Sequence, residues 1–176
     1  MKEINIIDFG LMGKQISALF YLLGYEIGVY NKSKLNIYEF EKQIKLLQRK
    51  IDFSNFNAGK INIYQHIEDL KNSLTIESLN EDLNLKKEIM QILRDNNIVF
   101  SNSSSLSMDD LNCDFIHFFN TIYIKLIELC GSNLERFTPL KDLKKLGFHI
   151  ICSKGNRGAL ANLLLFNEIS SFFKII

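Results

Sequence analysis

Three short stretches of this chain carry residue types that could do chemistry: Ser101-Asn102-Ser103-Ser104-Ser105-Leu106, His117-Phe118-Phe119-Asn120 and Lys125-Leu126-Ile127-Glu128. They bring a Ser/Asn pair, a histidine and a carboxylate together after an N-terminal segment, Ile4 to Asn31, that reads as half of a nucleotide-binding fold. Removing hydride from a secondary alcohol needs a base for the hydroxyl proton, and imidazole titrates near neutral pH, so it can serve in both directions. A carboxylate on the other ring nitrogen fixes the tautomer and stabilises the imidazolium as it forms. Ser and Asn donors steady the developing charge on oxygen, and a bound cofactor carries the hydride step. These are the parts of an alcohol-oxidising site.

Each residue also has a plainer reading when taken alone. A histidine between Ile116 and Phe118 can be a satisfied core residue. Glu128 can be a strand residue facing solvent, and Ser103–Ser105 can be a helix N-cap ahead of Leu106, with Asp109 and Asp110 in the first turn. His66 and His149 lack such company and read as structural.

The elements that must position these residues alternate between short apolar runs and longer amphipathic ones. Strands are expected over Ile4–Phe9, Tyr25–Tyr30, Ile61–Tyr64, Leu74–Glu77, Ile98–Ser101, Phe115–Asn120, Leu126–Cys130 and His149–Cys152. Helices are expected over Gly13–Leu23, Lys34–Ile51, a segment opened by Asp82 that turns Leu85, Ile89, Ile92 and Leu93 inward, and Leu134–Leu146. Strands alternating with helices imply crossover connections and an α/β, Rossmann-like doubly wound fold with a mostly parallel sheet covered on both faces. The single proline, Pro139, leaves few turn signals, so the boundaries are loose.

Gly10-Leu11-Met12-Gly13 lies at the first strand-to-helix junction, where a glycine-rich turn lets backbone approach a pyrophosphate at the helix N-terminus. The second strand ends at Tyr30-Asn31, where a ribose-reading residue is expected. Asp8 stands in the place of the first glycine and brings a carboxylate towards the phosphates, which should weaken anion binding. Asp tolerates unusual backbone angles better than most residues, so the turn can survive it. Asn31 replaces the usual carboxylate and does not repel a 2′-phosphate, leaving both NAD and NADP open as cofactors.

Together, Gly10–Gly13, Ile76–Lys87, Ser101–Leu106, His117–Asn120 and Lys125–Glu128 resemble the NAD-binding domain of the 3-hydroxyacyl-CoA dehydrogenases, and the motifs fall in that family's order over nearly the whole chain. The resemblance implies oxidation of the 3-hydroxyl of a short acyl-CoA to a ketone, or the reverse, with NAD as cofactor. It places Glu81 and Lys86 on the nicotinamide side of the cofactor and Asn102 in the same cleft. The same resemblance implies that Ser104 and Asn120 hold the substrate's 3-oxygen, that His117 is the catalytic base, and that Glu128 orients it. The alternative is a descendant without turnover that serves as a nucleotide-binding or protein-interaction module.

The sequence departs from the family pattern at several points. Asn31 to Ile61 is too short for the helical hairpin that the family extends towards CoA. The Asn120–Glu128 loop is a residue short, with Thr121 and Tyr123 in place of prolines. Gly158-Ala-Leu-Ala-Asn162 resembles the start of the helix that leads into the family's second, all-helical domain, with Arg157 and Leu163 replacing a proline and an arginine. The expected division is therefore a Rossmann-type domain over 1–157 and a C-terminal apolar helix over 158–176.

That last segment is apolar nearly all round, from Leu160 to Phe172, Phe173 and Ile176, and such a helix must be buried on several sides. A homodimer or a partner chain packed on it is the expectation. The 176 residues carry 21 Lys plus Arg against 20 Asp plus Glu, so no global field favours nucleic acid or a membrane surface. Cys113, Cys130 and Cys152 are far apart and read as small core residues of a reducing cytosol, with no metal site. No run has the apolar length of a membrane span, and a cytoplasmic protein is expected.

Overall fold

A computed structural model of the protein describes residues 2–32, 35–93, 95, 98–153, 160, 164 and 167. Its centre is an eight-stranded sheet in the order β3-β2-β1-β4-β5-β6-β7-β8. The strands are β1 (Glu3–Ile7), β2 (Glu26–Tyr30), β3 (Lys60–Tyr64), β4 (Leu74–Glu77), β5 (Ile98–Ser101), β6 (Asp114–Phe118), β7 (Leu126–Cys130) and β8 (His149–Ser153). All neighbours run parallel except β6 and β7, which are antiparallel. The helices are α1 (Leu11–Leu22), α2 (Ile37–Gln48), α3 (Leu83–Leu93), α4 (Met108–Leu111) and α5 (Leu140–Lys145).

The apolar residues of β1 explain the two covered faces. Ile4 and Ile6 join a core with α1, α2 and α5, contributed by Ile16, Leu19, Phe20, Phe40, Leu47 and Leu143. Ile7 points the other way and packs with Ile67, Leu70, Ile89 and Leu93 under α3. Both faces of the strand are dry, as expected where crossover helices cover a parallel sheet. Phe20 of α1 packs edge-on against Tyr25 and Phe118, with ring centroids 5.2 and 6.1 Å away, and so ties the first helix to the strand that carries His117.

Several boundaries differ from the sequence expectation, each for a local reason. β1 ends at Ile7 because Asp8 turns the chain with φ of 74°. The helix expected over Leu134–Leu146 is split into a 3-10 turn, Leu134–Arg136, and α5, because Pro139 can begin a helix but not continue one. Ser107, not Ser103–Ser105, is the N-cap of α4, and it accepts from the Asp110 amide at 3.1 Å.

Cys130 is buried, but Cys113 is only partly so and Cys152 lies exposed on the edge strand β8, which corrects the reading of all three as core residues. His66 and His149 are on the surface. The C-terminal helix expected over 158–176 lies outside the described residues apart from 160, 164 and 167, where Leu160 and Leu164 are exposed. Among the described residues no helix is long and apolar enough to cross a membrane.

Candidate active site

The order β3-β2-β1-β4-β5-β6 places the topological switch between β1 and β4, the crevice where open α/β sheets bind ligands at their strand C-termini. The expected site residues follow those ends: the glycine turn after β1, Asn31 after β2, Glu81 after β4, Asn102 and Ser104 after β5, and His117 and Asn120 at the end of β6.

The glycine turn is fixed from three directions. Asp8 donates its amide to the Tyr30 carbonyl at 2.9 Å, and the Ser78 hydroxyl lies 3.4 Å from the Asp8 carbonyl. Asn31 accepts from the Phe9 amide through its side-chain oxygen at 3.0 Å, so the residue expected to read the ribose also holds the turn. A Cβ at Gly13 would stand 2.1 Å from the Asp8 carbonyl oxygen, so only glycine lets the helix start this close to the strand end. The first amides of α1 have no carbonyl within the helix to bond, the ladder starting with Lys14 to Gly10 at 3.1 Å. These features fit a dinucleotide pyrophosphate, with one conflict: the Asp8 carboxylate accepts from the Gly10 amide at 2.9 Å.

Glu81 organises the loop after β5. Its carboxylate accepts from the Ser103 hydroxyl at 2.5 Å and the Ser104 amide at 2.8 Å, with the Ser104 hydroxyl 3.4 Å away. Burial raises the Glu81 carboxyl, but these bonds and the Lys86 charge outweigh it and leave the group below the usual carboxylate range. Asn102 donates its amide to the Glu77 carbonyl at 2.7 Å and accepts from the Phe118 amide at 2.8 Å. It therefore fixes β6 one residue beyond His117.

Lys86, expected beside the nicotinamide, is fully buried. Its ammonium donates to Glu77 at 2.6 Å and to the Leu79 carbonyl at 2.9 Å, and Glu77 also accepts from the Ser101 hydroxyl at 2.5 Å. Lys86 thus meets the cleft through Glu77 and the β4 loop and not with its own charge. Glu77 and Ser101 lie within the sequence motifs without a role assigned to them; the signal for one is a carboxylate closing the apolar strand Leu-Thr-Ile-Glu, with Lys86 in the helix that follows.

His117 and Glu128 are paired residues across the antiparallel β6–β7 ladder. Directly opposed residues share a face, so the two side chains lie side by side. They do not hydrogen-bond: among the described residues the buried His117 Nδ1 has no partner, while Glu128 accepts from the Ser153 hydroxyl at 2.8 Å and the Leu160 amide at 2.8 Å. Burial lowers the His117 pKa below its ordinary value, against the opposing pull of Glu128 and Glu81, so the neutral imidazole is favoured. Phe119 lies against the ring, centroids 4.3 Å apart. Asn120 opens the turn to β7, its side-chain oxygen 3.3 Å from the Ile122 amide. Thr121, standing where the family pattern has proline, reaches the buried Gln15 of α1 at 3.3 Å and pins that turn to the cofactor helix.

Residues 3–136 match the model of the 3-hydroxyacyl-CoA dehydrogenase NAD-binding domain. The chain belongs to the 3-hydroxyacyl-CoA dehydrogenase family. NAD is the cofactor of this family's domain. The chain is 27% identical over 157 residues to a 3-hydroxybutyryl-CoA dehydrogenase of Clostridioides difficile, covering 75% of this chain and 55% of that protein. It therefore spans about half the length of this curated relative. Among solved structures, FadB2 of M. tuberculosis superposes with a TM-score of 0.79 at 20% identity, over 99% of this chain and 71% of that one. The 3-hydroxyacyl-CoA dehydrogenase of Archaeoglobus fulgidus superposes with a TM-score of 0.76 at 22% identity, over 99% and 64%. These likenesses confirm the Rossmann-like fold that the alternation of elements implied.

Proposed function

We propose that the chain is an NAD-dependent oxidoreductase of the 3-hydroxyacyl-CoA dehydrogenase type, acting on the 3-hydroxyl or 3-keto group of a short acyl-CoA. The observation that carries this reading is the opposition of His117 and Glu128 across β6 and β7, at the strand ends that also hold the glycine turn. His117, kept neutral by burial, takes the hydroxyl proton in the oxidising direction and returns it in the reducing one. Its Nδ1 is sealed, which leaves Nε2 to meet the substrate. The Glu128 charge favours imidazolium once the proton has moved. Ser104 and Asn120, on the loops that flank His117, steady the substrate oxygen. Bound NAD supplies the hydride acceptor.

A second reading, a nucleotide-binding or protein-interaction module without turnover, is favoured by two observations. The Asp8 carboxylate lies in the phosphate turn, and Glu128 bonds Ser153 and Leu160 and not His117. Calorimetric titration of the chain with NADH, NADPH and acetoacetyl-CoA separates the two. The dehydrogenase reading expects NADH to bind and acetoacetyl-CoA to bind on top of it. Binding of dinucleotide with no acyl-CoA affinity supports the module.

A further inference from the structure

The Asp8 carboxylate lies on the open side of Gly10. A Cβ built on Gly10 would stand 2.8 Å from Asp8 Oδ2, the same oxygen that accepts the Gly10 amide at 2.9 Å. The space that the absent side chain leaves, which lets a ligand phosphate approach the backbone of such a turn, is therefore filled by an anion of the chain itself. The amide that would face a phosphate is bonded to it as well.

The backbone that carries this carboxylate cannot move aside. Its amide is held by Tyr30, its carbonyl lies within 3.4 Å of the Ser78 hydroxyl, and that carbonyl sits in the hollow that Gly13 leaves. Asp8 is also at φ of 74°, a left-handed conformation that Asp and Asn tolerate best after glycine. Only rotation of the side chain can free the Gly10 amide. The contact is exposed to solvent, so the carboxylate can swing out, but it would then stay beside the two negative charges of a bound pyrophosphate.

We infer that Asp8 is a built-in competitor for the cofactor's pyrophosphate, and that NAD(H) binds this turn only after displacing its carboxylate from Gly10. This rests on the family's use of NAD at the turn. Asp8 thereby sets dinucleotide affinity low, and it does so by charge.

Calorimetric titration of the whole chain with NADH, for the wild type, Asp8→Asn and Asp8→Gly, tests this. Asn keeps the left-handed conformation and an acceptor while removing the charge; Gly removes both and opens the space. Both variants should bind NADH more tightly than the wild type, Asp8→Gly by roughly fivefold or more. The wild-type deficit should shrink at about 0.5 M salt, because the exposed charges are then screened. Equal affinity for all three proteins overturns the inference while leaving the cofactor assignment intact. Tightening by Asp8→Gly alone overturns it too, since release of space would then be the cause. Failure of all three to bind NADH overturns the cofactor reading itself, and the inference with it.

Discussion

His117 stands opposite Glu128 in the β6–β7 ladder, yet its Nδ1 has no hydrogen-bond partner among the described residues, and the carboxylate that faces it is bonded to Ser153 and Leu160. The pair communicates through charge across the strands and not through a bond. Burial holds the imidazole pKa down, and Glu128 partly opposes that.

The His117 imidazole should therefore titrate below 6.5, and Glu128→Gln should move it lower still by removing the opposing charge. Below 6.5 the unfolded chain takes up a proton here that the folded chain refuses until lower pH, so stability falls as pH drops through that window. NMR titration of the ring protons reads both effects. A midpoint above the ordinary histidine value would contradict the burial argument.

Lys86 and Glu77 form an ion pair with side chains 1% and 0% exposed. Lys86→Met should destabilise the fold by about 3–5 kcal/mol, because the Glu77 charge is left buried and uncompensated. The double variant Lys86→Met with Glu77→Leu should recover much of that loss. Urea denaturation measures it; a Lys86→Met protein as stable as the wild type would mean that the pair is not closed to solvent.

Glu81 should be part of the acid response. Its folded carboxyl lies below its usual 4.5, so its stabilisation is present above that value and is lost as pH falls through the folded one. Glu81→Gln should be less stable than the wild type near neutrality, and the gap should close in acid. A gap that is constant with pH would assign the effect to packing.

Much of the frame was legible in the residues. The short apolar run of β1 against the longer stripe of α1 marks strand and helix, and the order of the chemical motifs fixes which strand ends they occupy. Cross-strand register was not legible: nothing in the spacing of His117 and Glu128 says that β6 and β7 run antiparallel with these two opposed. The capture of Glu128 by Ser153 and Leu160 is longer in range still. Lys86 was placed by its motif, while the direction of its ammonium depends on Glu77, a residue whose burial only the packed sheet reveals. The break at Pro139 was overrun because the apolar pattern continues through it.

Some fold-holding contacts lie far from the cleft and test the frame alone. Asp142 of α5 accepts from the Tyr25 hydroxyl at 2.9 Å and pairs with Lys2, joining a late helix to the start of the sheet. Tyr25→Phe leaves the buried carboxylate short of a donor and should lower stability by about 1–2 kcal/mol, with NADH affinity unchanged. A fall in NADH affinity at unchanged stability would show coupling to the site that this geometry does not contain.

The most direct test of the proposed chemistry is NADH oxidation by acetoacetyl-CoA, followed by absorbance, in the wild type and His117→Ala, with NADH affinity measured alongside. A base acts chiefly in the transition state, so the variant should lose turnover while binding NADH as tightly as the wild type. Turnover that survives the loss of His117, or that is absent from a wild-type chain binding both ligands, would contradict the assignment of this site.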